Sequence, residues 1–494
     1  MSPPEVSRIY IIGAGFAGRS IASEIRAKGI FGTVVAFLDD DESKMGRRLD
    51  GVPVLGPIRD VVTLLGRTPA DDAIIALPTA SRERLRELYF LLKNAGFTRI
   101  RILPDIAQIV EGDAHLIQAR EIDPQDLLGR SPIAVGLKES IAWLKGKRVI
   151  ITGAGGSIGS ELSRQLLSAG VERLYLFGHG ENSIYQIERE LRALQAGGVG
   201  VSTALVPVIG ELKDADYLTF ILGRLRADVI FHTAAYKHVP MMEANTVAAI
   251  ENNVLGTLNL ADAALASGVR RFVLVSTDKA VDPLCIYGAS KFLAERIVLD
   301  AQDRAGSSQA FMTVRFGNVL GSRGSILPLF MRQVAQGGPV TVTDPDASRF
   351  FMTIPEACSL VLKTGGVGDG GHSYLLDMGE PIRIRDLAEQ VIRFSGYEPE
   401  KDIRIEYIGL RPGERQSERL RSEYEDLVPT AYAKINRLER KGPAFDLAAI
   451  IADLEPVWHR DTARPEMYRN RRTLRAILRR FIPSLEERPD EPEY

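Results

Sequence analysis

Apolar residues along this chain come in short unbroken blocks, each closed by glycine and followed by a helical pattern, and the arrangement occurs twice. The first copy reads "RIYIIGAGFAGRSIASEIRAKG", then "TVVAFLDDD", "DDAIIALP", a helical stretch from about Ser81 to Ala95, and "RIRIL". Continuous apolar runs of this length, bounded by turn residues, predict strands buried on both faces; alternating with helices, they predict a parallel, doubly wound α/β sheet. The pattern fades after about Val110, which ends a first domain near residue 120. Residues 121–146 read as a linker arm broken by prolines and polar residues. A second and longer series opens at Lys147 with "KRVIITGAGGSIGSELSRQLLSAG" and continues through "RLYLFGHG", "VSTALVPVIGEL", "ADVIFHTAA" and "RRFVLVST". Regularity weakens over 321–440, which predicts a smaller covering subdomain inside a second domain spanning 147–494. A last helix, about 466–482, gathers Leu474, Ile477, Leu478, Phe481 and Ile482 on one face and arginines elsewhere. Docking on its own protein or a second subunit is the preferred reading, with peripheral contact to an anionic membrane surface as the alternative; the acidic tail after it is expected to be disordered.

Composition narrows the class. With 494 residues and 45% hydrophobic content the chain can form at least two cores. A net charge of −2 gives no reason to expect a nucleic-acid partner. Cys285 and Cys358 are the only cysteines, so neither a disulfide framework nor a thiolate zinc site is expected, and none of the six histidines stands in metal-ligand spacing. The chain shows neither a secretory pattern at its start nor an apolar run long enough to cross a bilayer, and the expected location is cytoplasmic.

Both series carry a glycine-rich turn of the kind found in Rossmann-like domains. Gly13-x-Gly15-x-x-Gly18 opens the first helix, and Asp39 ends the next strand where a ribose-binding carboxylate would stand. A structural turn is preferred over a working nucleotide site there, because nothing later in that domain offers an acid, a base or a nucleophile. The second loop, "TGAGGSIG", spaces Gly153, Gly156 and Gly159 by three, with Ser157 and Ile158 at the helix start, and would bring backbone N–H groups onto a pyrophosphate. Glu211-Leu212 after a strand, the small pair Ala234-Ala235 at a strand end, Asn253 with Gly256, and Tyr287-x-x-x-Lys291 follow in order, as a dinucleotide lying across the sheet edge requires. The expected adenosine-ribose carboxylate is missing, since "RLYLF" ends in Gly178-His179-Gly180. His179 or Arg173 could meet a 2′-phosphate, and the cofactor is left as NAD or NADP.

From about Lys147 to Leu420 the sequence resembles the extended short-chain dehydrogenase/reductases. The segments "AAYKHVPMMEAN", "ENNVLGTLN", "STDKAVDP", "RFGNVLGSRGS", "SRFFMTIPEA" and "GLRPGER" resemble the nucleotide-sugar 4,6-dehydratases of polysaccharide biosynthesis, in particular the UDP-N-acetylglucosamine branch. Long members of that branch are similar in carrying an extra Rossmann-like domain, and many begin with membrane helices that this sequence lacks. Relatives often have aspartate at the position of Gly178, and many close ones methionine at that of Tyr287; this chain keeps the tyrosine.

One turn apart on a helix, Lys291 is expected to lower the Tyr287 phenol pKa so that it acts as the base on a sugar 4-hydroxyl, with Thr277 hydrogen-bonding the same oxygen. The resemblance implies that Lys279 then removes the C5 proton and Asp278 protonates the departing 6-hydroxyl. It also implies that Lys237, His238, Asn318, Arg349, Arg411 and Glu414 surround a UDP-sugar, arginine suiting phosphate through its fork of donors, and that the protein is a homo-oligomer. Arg349 and His238 read equally well as structural. A UDP-hexose 4-epimerase is the alternative activity, needing Tyr287 and Lys291 but no C5 base; a dinucleotide-sensing or scaffold protein is the alternative from another class.

Overall fold

The computed structural model describes residues 7–28, 32–77, 80–97, 99–102, 120–121 and 141–492. They fall into two compact units, Met1–Leu137 and Lys138–Tyr494. The boundary lies inside the predicted arm, most of which, 122–140, is outside the described residues; Trp143 and Leu144 already belong to the second unit, Leu144 fully buried and Trp143 Nε1 donating to the Leu362 carbonyl.

In the first unit the strands run Thr33–Leu38, Arg8–Ile12, Asp72–Ile75 and Arg99–Ile102 in parallel, with the short Arg120–Glu121 antiparallel at the edge. Successive residues of Arg8–Ile12 feed opposite faces, as a pleated strand dictates. Ile9 and Ile11 pack with Ile21 and Ile25 of the helix Phe16–Lys28, while Tyr10 and Ile12 pack with Leu88 and Leu92 of the helix Arg82–Asn94, which Ser81 caps. Asp39 turns inward on its own loop. Its carboxylate accepts from the Ala14 amide at 2.6 Å and the Asp41 amide at 2.9 Å, and Lys44 Nζ stands 3.2 Å away, so it fastens the glycine turn.

The second unit is built on nine strands in the order Ala204–Ile209, Arg173–Gly178, Arg148–Thr152, Val229–His232, Arg271–Thr277, Ala310–Phe316, Ser373–Leu376, Ile435–Arg440 and Glu425–Pro429. The first seven are parallel, Ile435–Arg440 runs against them, and Glu425–Pro429 runs against Ile435–Arg440. Chain order reverses between Arg148–Thr152 and Val229–His232, which places a crevice at their carboxyl ends. The weakly patterned region is therefore not all a separate cover: three of its strands finish the main sheet, and the others form two-stranded pairs such as Asn318–Leu320 with Phe351–Thr353.

The last helix is Arg471–Phe481, shorter than expected, and it docks on its own chain. Leu474, Ile477 and Leu478 share one core with Ile450, Leu454 and Trp458, so the apolar face that a membrane would need is already covered. The acidic tail, expected to be disordered, packs back on the helix through Glu491: this buried residue pairs with Arg475 and, at 3.3 Å, with Arg471, two arginines that flank the apolar face and need an anion once the helix is docked. Among the described residues, no helix is long and apolar enough to cross a membrane.

Candidate active site

The glycine loop at the crevice is shaped by close approach. Gly153 has φ +68°, and a Cβ on it would lie 2.8 Å from the Ala234 backbone across the strand switch; a Cβ on Gly159 would lie 2.3 Å from the Gly153 carbonyl. Gly156 caps the helix Ser157–Ser168 with no side chain on its first amides, and Ser160 sends its hydroxyl back to the Ala154 carbonyl. Ile158 offers its carbonyl to the Cys358 thiol. Arg323, which sequence reasoning did not single out, donates from Nη1 to the Gly155 carbonyl at 2.9 Å and from its amide to Ser157 Oγ at 3.0 Å. An uncapped helix start behind a turn that only glycine permits fits a pyrophosphate.

Asn253 lies in a π-helical turn, Glu251–Leu255, and is spent on the protein. Its side chain accepts from the Tyr236 amide and donates to the Tyr236 carbonyl and to Ser290 Oγ, all at 2.9 Å. It thus ties the Ala234-Ala235 strand end to the helix that carries Tyr287. Leu212 is buried, with Glu211 and His179 exposed at neighbouring strand ends; the His179 ring stands edge-on to Tyr236.

The catalytic candidates converge where the strand Arg271–Thr277 ends. Thr277 caps a single 3₁₀ turn, Asp278–Ala280, and the helix Ile286–Arg304 starts directly on it. Contact is this tight because of Gly288, where a Cβ would sit 2.3 Å from the Lys279 carbonyl. Asp278 is 1% exposed. Its Oδ1 accepts from Thr277 Oγ1 at 2.9 Å and Lys279 Nζ at 3.1 Å, while Oδ2 is buried without a hydrogen-bond partner, facing the space left by Gly317. Lys279 Nζ also reaches Asn318 Oδ1 at 3.4 Å and Glu418 Oε1 at 3.2 Å. Glu418 was missed in the sequence: nothing local marks a glutamate 139 residues downstream as a partner of Lys279.

The electrostatics correct one expectation. Burial pushes the Tyr287 phenol up to about 12 rather than down, and the groups that oppose this are Lys279 and Thr277, not Lys291. Lys291 is itself brought down to about 8 by burial, which disfavours its charge. Lys279, though burial opposes it, is held well above its ordinary value by Asp278 and Glu418.

The expected substrate contacts divide. Lys237 Nζ stands 3.5 Å from Ser322 Oγ, and the His238 ring packs on Gly324, where a Cβ would meet it at 2.4 Å. Arg411 is half exposed and paired with Glu414 at 2.7 Å. Arg349 instead donates to the carbonyls of Ser348, Arg415 and Gln416 at 2.7–2.8 Å, the structural reading of that residue.

Residues 149–440 match the family described as polysaccharide biosynthesis protein. The chain is 40% identical over 431 residues to the probable polysaccharide biosynthesis protein EpsC of Bacillus subtilis, covering 87% of this chain and 71% of that one. It is 30% identical over 276 residues to an inverting UDP-N-acetylglucosamine 4,6-dehydratase of Campylobacter jejuni, covering 55% and 77% of the two chains. Among solved structures, Pen from Bacillus thuringiensis is similar with a TM-score of 0.54 at 32% identity, over 61% of this chain and 89% of that one.

Proposed function

Since this chain belongs to the polysaccharide biosynthesis protein family, we propose that it is a nucleotide-sugar 4,6-dehydratase, converting UDP-N-acetylglucosamine to a 4-keto-6-deoxy sugar nucleotide with a recycled nicotinamide dinucleotide, NAD or NADP. One observation carries the reading: a buried carboxyl and a partly buried amine, Asp278 and Lys279, share the sheet end with Tyr287. An alcohol oxidation alone has no work for them.

The residues suited to the cofactor are the Gly153–Gly159 loop with Ser157 and Ile158, the Ala234-Ala235 strand end, Glu211, Leu212 and His179 near the adenosine, and Tyr287 with Lys291 beside the ribose. When bound, the nicotinamide supplies the means to take hydride from C4 and return it to C6. Tyr287 removes the 4-hydroxyl proton as phenolate, a form that burial disfavours and that Lys279 and the positive charge of a bound oxidised nicotinamide would favour; Thr277 hydrogen-bonds the same oxygen. Lys279 and Asp278 divide the elimination, the first taking the C5 proton and the second giving one to the departing C6 hydroxyl. Asp278 Oδ2 suits that role, because Oδ1 already accepts two hydrogen bonds and Oδ2 accepts none from the protein. Lys237, His238, Asn318, Arg411 and Glu414 are assigned to the UDP-sugar.

The paired variant Asp278→Asn, Lys279→Met is the test against a 4-epimerase. A dehydratase loses water elimination and keeps C4 oxidation; an epimerase keeps full turnover.

A further inference from the structure

Lys279 is enclosed by charge. Its ammonium lies 3.1 Å from Asp278 Oδ1 and 3.2 Å from Glu418 Oε1. Arg349 faces the same pocket, its Nε 3.9 Å from that Glu418 oxygen, and the Tyr287 phenol completes the titratable groups around it. Two carboxylates against one guanidinium favour the charged amine. A charged ammonium has no lone pair and cannot take a proton from carbon. Asp278 relieves it: its carboxylate, 3.1 Å away, takes the ammonium proton and so gains the one it later gives to the C6 oxygen. Glu418 is then the anion left on the amine, with its side chain only 6% exposed.

Its placement is built. Arg349 Nη1 donates to the carbonyls of Ser348 and Gln416 and Nη2 to that of Arg415, and the Ser348 amide donates to the Gln416 carbonyl at 2.9 Å. The Ser348 and Ser417 hydroxyls meet at 2.8 Å. These contacts fix the segment immediately before Glu418.

We propose that Glu418 is the positioning residue of the C5 proton transfer: it holds the Lys279 nitrogen in place while the ammonium proton passes to Asp278 before elimination. This rests on the dehydratase reading. One N–H bond of the ammonium breaks and an O–H bond forms on Asp278, leaving two neutral groups. The freed lone pair takes the C5 proton, and the C5–H electron pair moves toward the C4 ketone as an enolate. Collapse of the enolate expels the C6 hydroxyl, which leaves as water with the Asp278 proton.

The test uses Glu418→Gln, Lys279→Met and their combination in the full chain. Dehydration of UDP-N-acetylglucosamine by Glu418→Gln should fall about 100-fold, while C4 oxidation, followed by reduced-nicotinamide absorbance, continues. In the Lys279→Met background the same change should add less than about twofold. Amine-labelling of Lys279, followed by mass spectrometry across pH without substrate, should be about tenfold faster in Glu418→Gln at a fixed pH below the midpoint. Dehydration within about threefold of the parent, full multiplication in the Lys279→Met background, or an unmoved labelling curve would each overturn the proposal. If Glu418→Gln does not fold, Glu418→Asp keeps the charge at shorter reach: a tenfold or so loss of elimination with oxidation retained supports the assignment, and parental turnover refutes it. A parent chain that oxidises no UDP-sugar would sink the dehydratase reading, while the labelling curve still reads the grip of Glu418 on Lys279.

Discussion

The distal prediction with the clearest magnitude concerns Arg475. It is 4% exposed and stands between two buried carboxylates, Glu243 at 2.8 Å and Glu491. Glu243 also holds the active-site helix, since its Oε1 accepts from the Ile286 amide at 2.7 Å, where the helix bearing Tyr287 and Lys291 begins. Arg475→Leu removes the cation and keeps an apolar side chain of moderate size. Stripping one partner from a buried pair costs about 3–5 kcal/mol. Each carboxylate here keeps a second arginine, Arg488 for Glu243 and Arg471 for Glu491, both at 3.3 Å, so the lower end applies, about 3 kcal/mol. With a urea slope of roughly 3 kcal/mol per molar, the midpoint should fall by about 1 M. Trp458 is buried in the same core and its fluorescence follows this transition. Amide hydrogen exchange over 283–290 should quicken along with it. A midpoint shift below about 0.2 M would mean the pair contributes no more than a surface contact, and the reasoning would fail. Unchanged exchange at Ile286 would break the claimed link to the active site.

Other outcomes follow from single residues. Gly153→Ala places a Cβ 2.8 Å from the Ala234 backbone at φ +68°, and nicotinamide dinucleotide binding, measured calorimetrically, should weaken at least about tenfold, since neither backbone can yield cheaply. His232 is bonded between Thr152 Oγ1 at 2.7 Å and Thr257 Oγ1 at 3.0 Å and is held down to about 3 by burial. Between pH 6.5 and 3 only the unfolded chain takes up that proton, so stability falls with pH across this window. Substituting His232→Gln should flatten that part of an acid-unfolding curve. Asp39→Ala should destabilise the first unit by about 1–3 kcal/mol, through loss of the Ala14 and Asp41 amide contacts, and leave turnover by the second unit unchanged; separate melting of the two units and a turnover assay check this.

The architecture could be read from the chain where burial is complete. Ile9–Ile12, Val149–Ile151 and Phe272–Leu274 are apolar on both faces, and such runs have few other homes than a parallel sheet. Ile435–Arg440 was not legible, because it is an edge-proximal strand whose polar side chains, such as Arg437 and Glu439, hide its period. At the candidate site, the clustering of Thr277, Asp278, Lys279, Tyr287 and Lys291 was legible since sixteen consecutive residues, 276–291, carry all five. Glu418 and Arg323 were not, because each reaches its partner through the tertiary fold: Glu418 meets Lys279 from a different segment, and Arg323 meets Gly155 from 168 residues away. Charge also resisted sequence reasoning. The helical spacing of Tyr287 and Lys291 points to a cation near the phenol, yet burial dominates both, and the cation that offsets it is the one on the preceding 3₁₀ turn.

The most direct measurement is the product mass after incubating the purified chain with UDP-N-acetylglucosamine and either NAD or NADP. A product lighter by one water, with no net cofactor reduction, is the predicted result. An unchanged mass, whether as a 4-epimer or as untouched substrate, would contradict it.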